Sequence, residues 1–470
     1  MKKIKALCLI LVLVSVLCTT VPVSAAEIDQ SVSNGCHSVD AAVALSDSGQ
    51  LTETAEAAII YELTSDTMIY GWNPDIRIYP SSMVKLMTAL IALEKGNLED
   101  KVVVTKRALS YVAVGSVSAK LVAGEELTLE SLLYCLMTAS ANDAATVIAE
   151  HIGGTQDKFI KMMNDRAAEL GCTGTNYTNV HGLHDEGMYT TARDICRILD
   201  FALEIPKFKE MFCAVSYTVP ATNKSEAREI VTSNDMMNPE KRKYYDDRVT
   251  GGKTGATDAA GRCLAATASC GDMQLLTIVM GAEPIYEENG IALIRYGSFE
   301  ETEVLLDHAE DNYEFRQVFF EGQTINQLPV ENGENSVVTR PAKTASTVLP
   351  VELDETKLTW IYGDTTGTIQ APVAEGQKIS TVQVWYGAKC LAQADLVAAN
   401  AVNVYTAPVV PTEPDGAGDS KVGMIVAIIA GALLGAAVVV VLIRLVIRWA
   451  KKLKHNARLR RRREDRRRSR

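Results

Sequence analysis

Residues 422–443, near the carboxyl end of the chain, form a run of 22 residues without a charged side chain. At about 1.5 Å per residue, a helix of that length crosses the roughly 30 Å hydrocarbon core of a membrane. The residues that follow, 444–470, are rich in lysine and arginine. The residues that precede the run, 407–421, form a linker rich in Pro, Gly and Asp. The positive-inside rule therefore predicts a transmembrane helix over 422–443, a basic cytoplasmic tail over 444–470 and an extracellular body.

The amino end has the pattern of a secretory signal peptide. Lys2, Lys3 and Lys5 precede an apolar run over 6–17, and Val23-Ser24-Ala25 fits a small-x-small cleavage site. We therefore expect a signal peptide over 1–25, followed by a loose leader over 26–53 that is rich in Ser, Asp and Ala.

The formal net charge of −11 is distributed unevenly along the chain. Because residues 444–470 are strongly basic, the body before the membrane run is more acidic than the total suggests. An acidic surface repels phosphate, so the body is not expected to bind nucleic acid. We expect the C-terminal helix and its basic tail to contact membrane lipid.

Cysteine and histidine give no convincing metal site. Ten cysteines occur, two of them inside the predicted signal peptide, and the rest show neither C-x-x-C nor zinc spacing. Buried free thiols are the simplest interpretation, and the sequence leaves any disulfide pairing open. His181 and His184 near Asp185 could form half of a metal site, but no third ligand is suitably spaced. We expect no metal and no other cofactor.

Hydrophobic periodicity predicts two folded regions between the leader and the linker. In the first, over 54–310, strand-like runs on either side of Thr64-Ser65-Asp66 predict a hairpin, and apolar runs over 264–269 and 275–280 predict a second antiparallel pair. Helical periodicity is present over 80–96, from Thr128 onward, over 144–151 and over 156–170. This pattern favours an α+β fold with an antiparallel sheet flanked by helices. In the second region, over 311–406, short β-rich runs predict a small β-sandwich.

The chain contains one S-x-x-K tetrapeptide, from Ser82 to Lys85. Residues i and i+3 share a face of a helix, so the lysine amine can reach the serine hydroxyl. Serine attacks a carbonyl only after a base removes its proton, and a lysine can do this once burial or a neighbouring cation lowers its pKa from about 10.4. Taken alone, the tetrapeptide also fits a capping serine followed by a solvated lysine.

Two further short motifs follow in order. Ser140 and Asn142 form a Ser-x-Asn triplet after a Leu-rich helix, and Lys253-Thr254-Gly255 lies on a predicted strand. The Lys253 cation can attract a carboxylate, Thr254 can hydrogen-bond it, and Gly255 lets the backbone approach an extended substrate. Each motif alone is a common polar turn, but the three together, in this order, are far more specific.

With these motifs the chain resembles the low-molecular-mass penicillin-binding proteins, the serine-type D-alanyl-D-alanine carboxypeptidases. The resemblance covers roughly residues 54–310. Its matching stretches are 61–62, 79–83, 85–88, 140–144, 179–183, 191–194, 252–255 and 257–261. It implies a β-lactamase/transpeptidase-like domain, and the β-rich region and C-terminal membrane helix also fit the layout of the family.

The resemblance implies a role for each motif residue. Ser82 would be the acylated nucleophile and Lys85 its base. Ser140 and Asn142 would relay protons and hold the substrate amide, and Lys253 would place positive charge beside Ser140.

The substrate would lie along the Lys-Thr-Gly strand. Thr254 would contact its terminal carboxylate beside Gly255, and the backbone N–H groups of Ser82 and Ala256 would form the oxyanion hole. The chain departs from the family pattern at Val84, where threonine is usual, and at Ala256, where histidine is frequent. The family's arginine after the next strand has only Arg295 as a candidate here.

The activity so implied is removal of the terminal D-alanine from peptidoglycan stem peptides ending in D-Ala-D-Ala, on the outer face of a bacterial cell membrane. β-Lactam antibiotics would acylate Ser82 as covalent inhibitors. A β-lactamase-type hydrolase and a catalytically inactive cell-wall-binding scaffold of the same fold are the alternatives.

Overall fold

The computed structural model describes residues 49–286, 293–363 and 368–406. The helices and strands named below lie in one compact unit that ends at Tyr405. The predicted signal peptide, the run over 422–443 and the basic tail lie outside the described residues, as do most of the leader and the linker. Across the three described ranges, no helix combines the length and the hydrophobicity needed to cross a membrane.

Helices and short strands alternate in the first part of the chain. The helices are α1 (Val84–Lys95), α2 (Lys106–Ser110), α3 (Leu129–Met137), α4 (Asn142–Gly153), α5 (Gln156–Glu169), α6 (Ala192–Leu203), α7 (Pro206–Phe212) and α8 (Ser298–Asn312). The strands are β1 (Ala57–Glu62), β2 (Thr67–Trp72), β3 (Lys101–Val103), β4 (Glu126–Thr128), β5 (Ser216–Val219), β6 (Arg228–Val231), β7 (Val249–Thr257), β8 (Gly261–Cys270), β9 (Met273–Ala282), β10 (Ile285–Tyr286) and β11 (Leu293–Arg295).

Local sequence signals set the ends of the helices that carry the site. The Thr128 hydroxyl accepts a hydrogen bond from the Ser131 N–H and caps α3, and Gly96 follows the last residue of α1. A 3₁₀ turn over Ser81–Met83 leads into α1. The predicted hairpin and the predicted antiparallel pair are confirmed as β1–β2 and β8–β9.

A five-stranded antiparallel sheet in the order β2-β1-β9-β8-β7 forms the centre of the fold. Alternate residues of β1 point to opposite faces, so Ile59 packs in one apolar cluster and Ile60 in another. The first cluster is built with α1 and α3 to α7, and the second with α8. The prediction of an α+β fold with helices around an antiparallel sheet is confirmed. Strand β7 lies at the sheet edge, next to the turn over Ser81–Met83.

A β-rich region follows α8. Its strands are β12 (Tyr313–Phe319), β13 (Asn326–Leu328), β14 (Val330–Glu331), β15 (Val337–Pro341), β16 (Ala345–Pro350), β17 (Leu358–Tyr362), β18 (Ile369–Gln370), β19 (Lys378–Tyr386) and β20 (Lys389–Ala398). Five of them form a sheet in the order β13-β15-β20-β19-β17, and β12 pairs with β16. Val348, Val382 and Leu396 of this region share the apolar cluster of α8 and the central sheet. The β-rich region therefore packs directly on the central sheet.

Most of the described cysteines are unpaired thiols, as the sequence suggested. Cys135, Cys196, Cys213, Cys263 and Cys270 are free thiols, and all but Cys213 are buried. Cys390 is disulfide-bonded, which the sequence had left open.

Candidate active site

Ser82 and Lys85 meet at the start of α1. Ser82 lies in the 3₁₀ turn and is half-buried, whereas Lys85 is 0% exposed. The Lys85 Nζ lies 3.0 Å from the Ser82 Oγ. The S-x-x-K spacing thus places an amine against a hydroxyl, and the alternative of a solvated lysine is wrong.

The surroundings of Lys85 favour its neutral form. Burial lowers the pKa of the Lys85 amine well below 10.5, and the positive charge of Lys253 lowers it further, against a smaller opposing effect of Asp143. The main-chain carbonyl of His181 accepts a hydrogen bond from the Lys85 Nζ at 2.5 Å. A neutral amine that gives one N–H to this carbonyl keeps a lone pair available for the Ser82 proton.

Ser140 and Asn142 occupy the junction between α3 and α4. Ser140 has φ +58, in the left-handed region that non-glycine residues rarely adopt, and it is 6% exposed. Its Oγ accepts a hydrogen bond from the Lys253 Nζ at 2.7 Å. Asn142 is the first residue of α4 and is 5% exposed. The tight turn at Ser140 therefore brings the second motif against the third.

Lys253 and Thr254 come from the edge strand β7. Lys253 is 1% exposed, and burial lowers the pKa of its amine to about 7. Its Nζ also donates to the main-chain oxygen of Thr254 at 3.1 Å. The Thr254 Oγ1 lies 2.5 Å from the Oγ of Ser233, a residue that the sequence did not single out.

Gly255 allows β7 to lie against the nucleophile turn. A Cβ at Gly255 would lie 2.2 Å from the Ser81 Oγ and 3.2 Å from the Ser82 backbone nitrogen. The first contact would force the Ser81 side chain to move, and the second is tighter than most Cβ contacts, so glycine allows this close approach. Ala256, the next residue, is exposed on the same strand. The backbone of β7 and the Ser82 N–H are therefore adjacent, as an oxyanion hole formed with Ala256 requires.

Asp143 fixes a loop beside the site. Its carboxylate accepts hydrogen bonds from the Ser118 Oγ at 2.6 Å, the Ala119 N–H at 2.9 Å and the Leu121 N–H at 3.0 Å. The Ala144 N–H donates to the same carboxylate at 2.9 Å. Asp143 is 2% exposed, and these donors compensate for the burial of its charge.

Arg295 and His181, which the sequence analysis considered as candidate functional residues, have side chains that contact residues outside the three motifs. Arg295 pairs with Glu53 at 3.0 Å and faces Glu300 at 4.0 Å. The His181 Nδ1 accepts a hydrogen bond from the Leu183 N–H at 3.2 Å, and burial lowers the pKa of the imidazole to about 4. Over the described ranges, no group of three or more His, Cys, Asp or Glu residues could hold a metal ion.

The three motifs thus meet in one place. Ser82 with Lys85 and Ser140 with Lys253 form two hydrogen-bonded pairs, and the electrostatic effect of Lys253 on Lys85 links them. Ser233 and the His181 carbonyl are the contributors that sequence reasoning missed. His181 lies in the stretch 179–183 that resembles the family, and this resemblance is the one sequence signal that could point to it.

Comparisons with known proteins agree with this geometry. A family model described as D-alanyl-D-alanine carboxypeptidase matches residues 44–284, and one described as the C-terminal domain of penicillin-binding protein 5 matches residues 313–404. The D-alanyl-D-alanine carboxypeptidase DacF of Bacillus subtilis (strain 168) is 29% identical over 359 residues, which cover 74% of this chain and 86% of that protein.

Two further relatives extend the similarity. The D-alanyl-D-alanine carboxypeptidase DacC of Escherichia coli (strain K12) is 28% identical over 353 residues, which cover 73% of this chain and 83% of that protein. Crystal structures of penicillin binding protein 5 from Haemophilus influenzae match with a TM-score of 0.59 and 27% identity, covering 76% of this chain and 99% of that chain.

Proposed function

The chain belongs to the D-alanyl-D-alanine carboxypeptidase family of serine hydrolases, the low-molecular-mass penicillin-binding proteins, and from that premise we propose that it acts through an acyl-enzyme on Ser82. The substrate is the peptidoglycan stem pentapeptide, and the product is the same peptide without its terminal D-alanine. One observation carries the assignment of the nucleophile: the buried Lys85 amine, with its lowered pKa, lies 3.0 Å from the Ser82 hydroxyl.

Acylation begins when the lone pair of the Lys85 Nζ accepts the Ser82 proton. The Ser82 Oγ then bonds to the carbonyl carbon of the D-Ala-D-Ala amide, and the backbone N–H groups of Ser82 and Ala256 stabilise the oxyanion. Ser140 passes a proton to the leaving nitrogen and takes up the proton held by Lys85, so that the C–N bond breaks and D-alanine departs. Water next attacks the ester carbon, the Ser82 Oγ regains a proton, and the shortened peptide is released.

Asn142, Lys253 and Thr254 bind and orient the peptide in this scheme. Lys253 donates to Ser140 at 2.7 Å, which supports a role in holding the proton relay in place. Thr254 presents its hydroxyl at the edge of β7, where an extended peptide can pair with the strand beside Gly255. A β-lactam ring mimics the D-Ala-D-Ala amide, so we expect β-lactams to acylate Ser82.

The location of the enzyme is proposed from the sequence. The signal peptide over 1–25, the uncharged run over 422–443 and the basic residues after it support a single-pass protein of the bacterial cell membrane with its active site outside. In this arrangement, the β-rich region is a small β-sandwich that spaces the active site from the membrane lipid.

The direct test of the activity is release of D-alanine from diacetyl-L-lysyl-D-alanyl-D-alanine. We expect the wild-type protein to release it and Ser82→Ala to release none above background. Ser110→Ala, which removes an exposed hydroxyl from α2, is the matched control and should keep wild-type activity. A wild-type protein that is folded but releases no D-alanine would contradict the proposal.

A further inference from the structure

Ser233 lies where the second and third motifs meet, although it belongs to neither. It follows β6, is exposed, and places its Oγ 2.5 Å from the Thr254 Oγ1. Its backbone N–H donates to the carbonyl oxygen of Thr138, two residues before Ser140, at 3.3 Å. One exposed hydroxyl is thus held between the strand of Lys253 and the turn of Ser140.

The backbone around Ser233 is fixed by its neighbours. The buried Asn234 side chain accepts a hydrogen bond from the Met236 N–H at 3.1 Å. The amide nitrogen of Asn234 lies so near β7 that a Cβ on Gly252 would be 2.4 Å from it. The glycine therefore lets Asn234 lie against β7, and the position of Ser233 is defined before any ligand arrives.

The pair of hydroxyls suits a carboxylate. Each hydroxyl has one O–H, and the contact between Ser233 and Thr254 uses only one of the two. A carboxylate accepts through two oxygens, so it can take both O–H groups once they rotate towards it. The buried Lys253 amine already donates to Ser140 and to the Thr254 carbonyl. The two hydroxyls are therefore the donors left at this end of the strand, with Ser233 exposed and Thr254 5% exposed behind it.

We propose that Ser233 is a substrate-binding residue that, together with Thr254, holds the terminal carboxylate of the D-Ala-D-Ala peptide. This inference rests on the proposed function. Ser233 then helps the enzyme to prefer a peptide that ends in a free carboxylate over the same peptide with a blocked end.

The test compares diacetyl-L-lysyl-D-alanyl-D-alanine with its C-terminal carboxamide. For Ser233→Ala we expect kcat/KM on the acid to fall about tenfold, mainly through a higher KM, because a hydrogen bond to a charged group is lost. The carboxamide should be affected by less than about threefold. Ser233→Thr keeps the hydroxyl and should restore most of the preference for the acid. Ser216→Ala, on the exposed part of β5 in the same hairpin, is the control.

The possible results distinguish a wrong role for Ser233 from a wrong activity for the whole protein. An active wild type whose preference for the acid is unchanged in Ser233→Ala overturns the assignment of Ser233 alone, and so does an equal loss on both peptides. A wild type that cleaves neither peptide overturns the proposed function and the inference together. Circular dichroism checks that the exposed substitution leaves the fold intact.

Discussion

The main-chain carbonyl of His181 and the side-chain amine of Lys85 are 2.5 Å apart, although 96 residues separate them in the chain. This contact helps to hold the amine beside the Ser82 hydroxyl. It also depends on Gly182, whose φ of +87 and lack of a side chain let the loop touch the backbone of Ser81. The base is therefore positioned by a loop as well as by its own helix.

Replacement of Lys85 tests its role as the base. Among the described residues, the Lys85 amine is the only group that hydrogen-bonds with the Ser82 Oγ, and Lys85→Ala removes it. We expect the rate of acylation by penicillin to fall by about 10²–10⁴-fold, the usual contribution of a general base. Stopped-flow or quenched mass spectrometry measures it. Lys95→Ala, at the exposed end of α1, should acylate at the wild-type rate, and a Lys85→Ala rate within threefold of wild type would refute the role.

The charge of Lys253 should set the pH at which acylation begins. Only neutral Lys85 accepts the Ser82 proton, so the acylation rate falls as acid protonates it. The positive charge of Lys253 lowers the pKa of Lys85. Lys253→Met removes this charge and raises the pKa of Lys85, so the acidic midpoint in the pH profile of the residual acylation rate should rise by about one pH unit. Lys253→Arg keeps the charge and should keep the midpoint. An unchanged midpoint in Lys253→Met would show that burial alone lowers the pKa.

Much of the site could be predicted because residue type and spacing carry its chemistry. Ser82 and Lys85 are one helical turn apart, and each of the other motifs is contiguous, so their residues could be named from the chain alone. The hairpin β1–β2 and the pair β8–β9 follow from alternation and turn residues. The predicted domain boundary near residue 311 stays a prediction.

The parts that could not be predicted depend on tertiary contacts. The His181 contribution is a main-chain carbonyl, which any residue possesses, so no side chain signals it. Ser233 reaches Thr254 only because the chain after the β5–β6 hairpin lies against β7, and a Ser-Asn pair in a sequence is usually an ordinary turn. Helix α6 is absent from the sequence-based prediction although Thr191 caps it by accepting from the Asp194 N–H.

Gly182→Ala should damage both the fold and the site. Its Cβ would lie 1.8 Å from the Ser81 carbonyl oxygen, in addition to the cost of φ +87 for a side chain. We expect the free energy of unfolding to fall by about 2–4 kcal/mol and penicillin acylation to slow. Gly271→Ala is a matched control, because it has φ +63 with nothing within 4 Å of its Cβ. Gly271→Ala should lower the free energy of unfolding by only about 1 kcal/mol. If urea denaturation gave the same loss for both variants, the close contact between Gly182 and Ser81 would not be what destabilises Gly182→Ala.

Asp143→Asn should loosen the loop beside the site. An amide nitrogen would replace one of the carboxylate oxygens that accept from Ser118, Ala119 and Leu121. We expect a loss of about 1–3 kcal/mol in the free energy of unfolding, because buried donors lose their acceptor. Hydrogen exchange should accelerate at the amides of Ala119 and Leu121. Asp157→Asn, at the equivalent first turn of α5 but exposed, should change neither the free energy of unfolding nor the exchange rates. If the amides of Ala119 and Leu121 stayed protected in Asp143→Asn, Asp143 would not be what fixes the loop.

Mass spectrometry of the protein after incubation with penicillin, followed by mapping of the modified peptide, tests directly whether Ser82 is the nucleophile. We predict one added penicillin per chain, located on Ser82, and no adduct on Ser82→Ala. A folded wild-type protein that gains no mass, or that carries the adduct on another residue, would contradict it.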